Sequence, residues 1–165
     1  MAPPLSPVAR LEPPNARLVQ IGVLLAWSLF VFDLLLGGVA VLFPEIYFDT
    51  VHPNLDHPQV DLLQRSGGLW LAFSAVALIT ATARTPSARA RWFMVLGWLR
   101  LVEVPADLIY GLNATGTDAL GRALLLGAPP VNLAIGGYLF WLSRQIYGSA
   151  ATVEDSRGSD SDQSK

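Results

Sequence analysis

Four long apolar runs constrain the fold of this chain more than any other feature of its sequence. They cover residues 18–43, 62–83, 92–112 and 119–143. A helix needs about 20 consecutive apolar residues to cross the hydrocarbon core of a bilayer. Charged residues make up 15% of the chain, whereas soluble domains contain about 25%. The sequence therefore predicts an all-α fold, an integral membrane bundle of four antiparallel helices.

A soluble helical bundle is the alternative to a membrane fold. Helices at the surface of a soluble protein need a polar face along their length. The second run, 62–83, has almost no polar face after Arg65. The lack of a polar face favours a membrane protein, and the lipid bilayer is then a predicted partner of the chain.

The connections between the runs differ in charge, and the difference predicts an orientation. Lys and Arg accumulate in the cytoplasmic loops of membrane proteins. Arginines precede the first run, separate the second from the third and follow the fourth, whereas 44–61 and 113–118 contain acids but no Lys or Arg. We therefore expect a multi-pass protein of a bacterial inner (plasma) membrane, with both termini in the cytoplasm.

The predicted domain organisation follows from the composition of the segments around the runs. Residues 1–17 contain five prolines and no signal-peptide pattern, which predicts a flexible cytoplasmic leader. Residues 18–148 form the predicted transmembrane domain, with an outer loop at 44–61. Residues 149–165 are polar and low in complexity, which predicts a disordered cytoplasmic tail.

Several function classes are excluded by composition. The chain has no Cys, which removes thiolate nucleophiles, disulfides and cysteine metal sites. Its net charge of −2 argues against a nucleic-acid partner, because phosphate binding needs clustered Lys and Arg. No nucleophile–base arrangement, phosphate loop or H-E-x-x-H run occurs, and the sequence does not identify a cofactor.

The third run contains three charged residues that share one helix face. Arg100 and Glu103 are three residues apart, and Glu103 and Asp107 are four apart. A charge at the centre of a membrane helix costs roughly 2.5–3.5 kcal/mol on insertion scales, so this face should point into the bundle. Asp33 on the first run should also point inward, because it shares a stripe with small residues, which are Gly22, Ala26, Gly37 and Ala40.

Depth along the helices predicts which charges meet. With a rise of 1.5 Å per residue, Asp33 and Asp107 each lie about 22 Å from the cytoplasmic end of their run. Arg65 and Arg122 lie a few residues in from the outer ends of theirs. The predicted cluster has three acids and three bases, which are Asp33, Arg65, Arg100, Glu103, Asp107 and Arg122.

Two interpretations of this cluster remain open. It is either a set of interhelical ion pairs that fixes helix packing or a polar cavity, open to the outer side, that binds a ligand or relays protons. The matched number of acids and bases favours ion pairs. A membrane enzyme that uses the same acids is a third interpretation.

Prolines within the third and fourth runs predict helix breaks. Pro105 should kink the third run between its two acids, because it removes one backbone hydrogen bond. Pro129 and Pro130, with Asn132 just beyond, should interrupt the fourth run. Broken helices expose carbonyl groups that bind polar ligands.

The outer loop contains both histidines of the chain, His52 and His57. Imidazole and carboxylate groups are ligands for transition metals, and Asp49 and Asp56 are nearby in sequence. Each histidine precedes a proline, and their spacing matches no metal motif. We therefore predict no metal site here, and we expect the aromatic residues of the loop to lie at the membrane interface.

Two stretches resemble a known group of proteins. They are "VLFPEIYF" at 41–48 and "RSGGLWLAF" at 65–73. Both resemble the small bacterial four-helix membrane proteins of the DoxX-like group. The resemblance implies a four-helix membrane fold and, as for some members of that group, a role as the partner of a membrane redox complex.

The leading functional prediction is a non-enzymatic accessory or binding protein that acts through lateral helix contacts. Its partner would be another membrane protein or a second copy of the chain. The alternative is a carrier for a small ligand or for protons, with an outward-facing polar cavity.

Overall fold

The structure is a computed structural model that describes residues 16–162, with side chains described for 16–147. The described residues form five helices and no strand, which confirms the predicted helical fold. The helices are α1 (Ala16–Leu42), α2 (Pro44–Val51), α3 (Val60–Thr82), α4 (Pro86–Asn113) and α5 (Ala119–Asp162). The predicted leader, 1–17, lies almost entirely outside the described residues.

Three of these helices are long and apolar enough to cross a bilayer. They are α1, α3 and the segment Ala119–Tyr147 of α5. This finding fits a membrane protein. α4 is not among them although it has 28 residues, because Arg100, Glu103 and Asp107 lie in its second half.

The four long helices pack as two antiparallel hairpins, α1 with α3 and α4 with α5. In both hairpins, the two helices pack closely at glycine residues. A Cβ atom at Gly37 would lie 2.8 Å from the carbonyl oxygen of Gly67, and one at Gly136 would lie 2.8 Å from that of Gly97. Small residues let membrane helices approach closely enough for van der Waals packing to stabilise them.

The apolar core lies at one end of the bundle, where the two hairpins meet. Phe93 is fully buried, and its ring packs against Gly22. The tightly packed core residues are Ala26, Leu29, Ala77, Ala81, Ala90, Phe93, Leu96, Leu139, Leu142 and Ile146. We call this the basic end, because the arginines at positions 17, 84, 89, 91 and 144 lie there.

The opposite end, which we call the acidic end, is covered by α2 and two loops. α2 lies within the predicted outer loop 44–61 and begins at Pro44, whose fixed backbone angle suits a first helical turn. The backbone N–H of Asn54 donates a hydrogen bond to the carbonyl of Gly116 at 2.9 Å. Gly116 has a φ of 68°, which favours glycine. These contacts fasten α2 over the loop between α4 and α5.

α4 and α5 are each continuous helices through their prolines. Thr85 caps α4 by accepting a hydrogen bond from Ala88 N–H at 3.2 Å. α5 is helical through Pro129 and Pro130, where the sequence predicted an interruption. Neighbouring helices commonly stabilise prolines in membrane helices. α5 also remains helical through Asp162, and the boundary of the predicted tail at 149 stays a prediction.

Candidate functional site

One face of α4 holds four polar side chains that reach three other parts of the bundle. We call Arg100, Glu103, Asp107 and Tyr110 the polar face of α4. Their spacings of three, four and three residues place them on one side of the helix. The predicted common face of the three charged residues is therefore extended by Tyr110.

Arg100 lies at the end of this face nearer the basic end, and its side chain is buried, at 5% exposure. Its guanidinium contacts the carboxylate of Asp33 on α1, which is 1% exposed. The Nη1 group donates a second hydrogen bond to Glu103 Oε2 at 3.1 Å. Phe73 on α3 lies with its ring centroid 5.8 Å from the guanidinium carbon, within cation–π range. Arg100 thus contacts two other helices, α1 and α3, and a second residue of its own helix.

The contact between Arg100 and Asp33 crosses between the two hairpins. Gly22 lies against Phe93 near the basic end, and eleven residues further along each helix are Asp33 and Val104. Asp33 therefore lies about level with Glu103. Removing either member of such a buried pair leaves an uncompensated charge, which costs roughly 3–5 kcal/mol.

Asp107 has a different partner from the one expected. Asn132 on α5 donates a hydrogen bond from Nδ2 to Asp107 Oδ2 at 2.8 Å. The sequence singled out Asn132 only for its position beyond two prolines. Its neutral amide partly satisfies the Asp107 carboxyl and supplies no positive charge.

The two remaining arginines of the predicted cluster are not brought into it. Arg65 on α3 and Arg122 on α5 are both exposed. Within the described part of the chain, neither lies within ion-pair distance of an acid. The cluster therefore contains three acids, Asp33, Glu103 and Asp107, and one base, Arg100. The sequence predicted three acids and three bases in this cluster, whereas the structure brings together three acids and one base.

Tyr110 joins the polar face to the acidic end. Its hydroxyl lies 2.6 Å from His52 Nε2, and His52 Nδ1 lies 2.8 Å from the carbonyl oxygen of Thr115. A carbonyl only accepts, so Nδ1–H donates to Thr115 and Nε2 accepts the Tyr110 hydroxyl proton. His52 is 5% exposed. This pair of hydrogen bonds holds the end of α2 against α4 and the following loop.

The histidines do not form a metal site in the described residues. Both ring nitrogens of His52 have protein partners, and His57 is exposed. No group of three or more potential metal ligands from His, Cys, Asp and Glu occurs within residues 16–162.

Tyr47 of α2 is a further polar neighbour of this face. Its ring packs on Trp70 of α3, with centroids 6.0 Å apart. Burial raises the pKa of the Tyr47 hydroxyl, and the nearby Tyr110 and Asp107 raise it further. Tyr47 was expected only as an interface aromatic, and sequence reasoning did not identify Tyr110, because both depend on how α2 folds back over the bundle.

Two surface grooves lie outside the polar face. One, of about 510 Å³, runs along α3 beside Arg65 and Gly68. The other, of about 370 Å³, lies between α1 and Arg89 at the basic end. Neither is lined by Glu103 or Asp107. The outward-facing cavity proposed from the sequence does not coincide with either groove.

Comparison of the chain with family models, with curated proteins and with solved structures finds no match. The resemblance to the DoxX-like group therefore stays a prediction.

Proposed function

We propose that this chain is a non-enzymatic accessory protein of a bacterial inner membrane that binds a partner membrane helix through its unbalanced intramembrane acids. The proposal includes four spans, with α4 as the third in chain order, and both termini in the cytoplasm. The basic end supports this orientation, because its arginines match the charge of cytoplasmic loops. A polar face on α4 is compatible with insertion if other helices cover it.

The unbalanced charge is the observation that carries the proposal. Arg100 contacts both Asp33 and Glu103, and Asp107 has only the Asn132 amide, so three acids face one base and the cluster has an excess of two acids. A charge inside the hydrocarbon is costly, and ionisable residues there almost always pair with one another or with backbone carbonyls. A basic side chain from outside the monomer would reduce this excess.

Exposure at the edge of the polar face favours a protein partner. The side chain of Glu103 is 14% exposed, whereas Asp33 is sealed in. Ala106, between the two acids on α4, is exposed and small. A neighbouring helix could therefore approach α4 closely and extend a Lys or Arg side chain to Glu103 or Asp107.

A small cationic ligand is the second candidate, and it is favoured by the aromatic groups around the acids. Phe73 contacts the Arg100 guanidinium, and Tyr47 lies near Tyr110 and Asp107. Aromatic rings beside carboxylates suit an organic cation. This candidate corresponds to a carrier that binds its ligand from the outer side.

Extraction of the full chain from its host membrane in mild detergent tests the proposal. Native mass spectrometry should detect a stoichiometric protein companion that is lost from the double variant Glu103→Gln/Asp107→Asn. Glu45→Gln, which neutralises an exposed acid of α2, is the matched control and should retain the companion. A bound small molecule lost in the double variant would favour the second candidate, and identical spectra for all three proteins would contradict both.

A further inference from the structure

Arg65 is an exposed base within a membrane helix, and the structure gives it no charged partner. It lies on the outward face of α3, five residues from the start of the helix at Val60. Among the described residues, no acid is within ion-pair distance of it, including Asp61 one turn away on the same helix. A charge in this position needs either the membrane surface or an acid from another molecule.

The depth of Arg65 matches the depth of Asp107. Both α3 and α4 have an end at the acidic side of the bundle, at Val60 and at Asn113. At 1.5 Å per residue, Arg65 lies about 8 Å from that end and Asp107 about 9 Å. Two copies of this chain in one membrane share the same plane and orientation. The Arg65 of one copy is therefore level with the Asp107 of its neighbour.

The surface beneath Arg65 is shaped for a second helix. The groove of about 510 Å³ along α3 is lined there by Ser66, Gly68 and Ala72. A Cβ atom at Gly68 would have no neighbour within 4 Å, so this glycine has no packing role within the monomer. Small side chains at an outward position allow close approach of another helix.

We infer that the helix partner is a second copy of this chain, with Arg65 of one copy paired to Asp107 of the other. The inference rests on the proposed function, since it names the partner of the same acids. α4 of one protomer lies along the α3 groove of the next, and Ala106 faces that groove beside Asp107. Arg122 is exposed as well but lies nearer the end of its helix, where its side chain reaches the membrane surface.

Disulfide cross-linking between two tagged full-length copies tests this arrangement, because the chain has no Cys of its own. One copy contains Ser66→Cys and the other Ala106→Cys, so that a mixed disulfide forms only between molecules. The pair should cross-link in native-lipid nanodiscs upon mild oxidation. Arg65→Gln or Asp107→Asn should lower the association constant roughly 5- to 30-fold, while Arg122→Gln, the matched control, should leave it unchanged.

A charge exchange separates a specific pair from general misfolding. Arg65→Asp in the Ser66→Cys copy and Asp107→Arg in the Ala106→Cys copy should each reduce cross-linking alone and restore it together. No mixed disulfide, or a yield that is insensitive to Arg65→Gln, would overturn the inference. If cross-linking fails while a companion of different sequence is lost from Glu103→Gln/Asp107→Asn, the proposed function stands without self-association. If cross-linking fails and no companion is lost from Glu103→Gln/Asp107→Asn, both the self-association and the proposed function are contradicted.

Discussion

The guanidinium of Arg100 on α4 contacts the buried carboxylate of Asp33 on α1 and so joins the two helix hairpins of the bundle. Elsewhere, α1 packs mainly along α3, and α4 packs mainly along α5. The apolar contacts between the hairpins are concentrated at the basic end. The Arg100–Asp33 pair therefore marks the boundary between this apolar region and a second region, nearer the acidic end, in which polar contacts hold the hairpins together.

Loss of this pair should destabilise the bundle. Arg100→Gln leaves the buried carboxyl of Asp33 without its base, and we expect the free energy of unfolding to fall by roughly 3–5 kcal/mol. Asp33→Asn should cost less, because Arg100 keeps its hydrogen bond to Glu103. Unfolding in mixed micelles of increasing denaturing detergent measures this change. Arg122→Gln removes an exposed arginine and should change the stability by less than about 0.5 kcal/mol.

Replacing both Asp33 and Arg100 with apolar residues tests whether the two act as a pair. In Asp33→Leu/Arg100→Met, made in a Glu103→Gln background because Arg100 also bonds Glu103, both charges are replaced by apolar groups. Much of the lost stability should return, since apolar replacements of buried ion pairs are often neutral. A double variant as unstable as the sum of its single variants would show that the two residues act independently.

Adjacent glycines should respond differently to alanine. At Gly136 an added Cβ would meet the carbonyl oxygen of Gly97 at 2.8 Å, whereas at Gly137 it would meet nothing within 4 Å. We expect Gly136→Ala to lower stability by roughly 1–3 kcal/mol, because α4 and α5 must separate. Gly137→Ala is its control in the same detergent titration and should be neutral or slightly stabilising. Equal effects at the two positions would contradict the described packing of this hairpin.

The hydrogen bonds of His52 should control the opening of the acidic end. Tyr110→Phe removes the hydroxyl that donates to His52, at a cost of roughly 1 kcal/mol. Hydrogen exchange of the backbone amides in 52–59 and 114–118 should become faster, while exchange in α1 should not change. His57→Ala, at an exposed histidine of the same loop, should leave exchange in 114–118 as it is in the parent chain. If exchange in 114–118 became faster in His57→Ala but not in Tyr110→Phe, the Tyr110–His52 hydrogen bond would not control the opening of the acidic end.

Single-cysteine labelling should report the proposed orientation. Ser87→Cys lies at the basic end and Asp56→Cys at the acidic end, and both positions are exposed. In intact cells, a membrane-impermeant maleimide should modify Asp56→Cys and leave Ser87→Cys unmodified until the membrane is opened. The reverse pattern would overturn the orientation with both termini in the cytoplasm.

Helix periodicity predicted much of the charged face and its environment. The stripe of small residues that contains Asp33 is buried as expected, with Gly22, Ala26, Gly37 and Ala40 all facing other helices. The common face of Arg100, Glu103 and Asp107 was likewise predicted, because it depends only on spacing along one helix. Properties of a single helix can be derived from its sequence when the helix itself is long and regular.

Contacts between helices were harder to predict. Arg65 and Arg122 were matched to the acids by depth and count, but depth along a helix does not determine the rotation of that helix about its axis. Both arginines lie on outward faces. The contacts of Tyr110 and His52 depend on α2 and on the positive φ of Gly116, which no periodic pattern encodes.

A photo-activated cross-linker in place of Ala106, in the full chain within its host membrane, reports directly whether a partner helix lies against α4. We expect a covalent adduct with a membrane helix that contains a basic residue, from a second copy or from another protein. The same adduct should be lost when Glu103→Gln and Asp107→Asn are combined. Adducts with lipid alone, or a protein adduct that persists in this double variant, would contradict the claim that the unbalanced acids of α4 bind a partner helix.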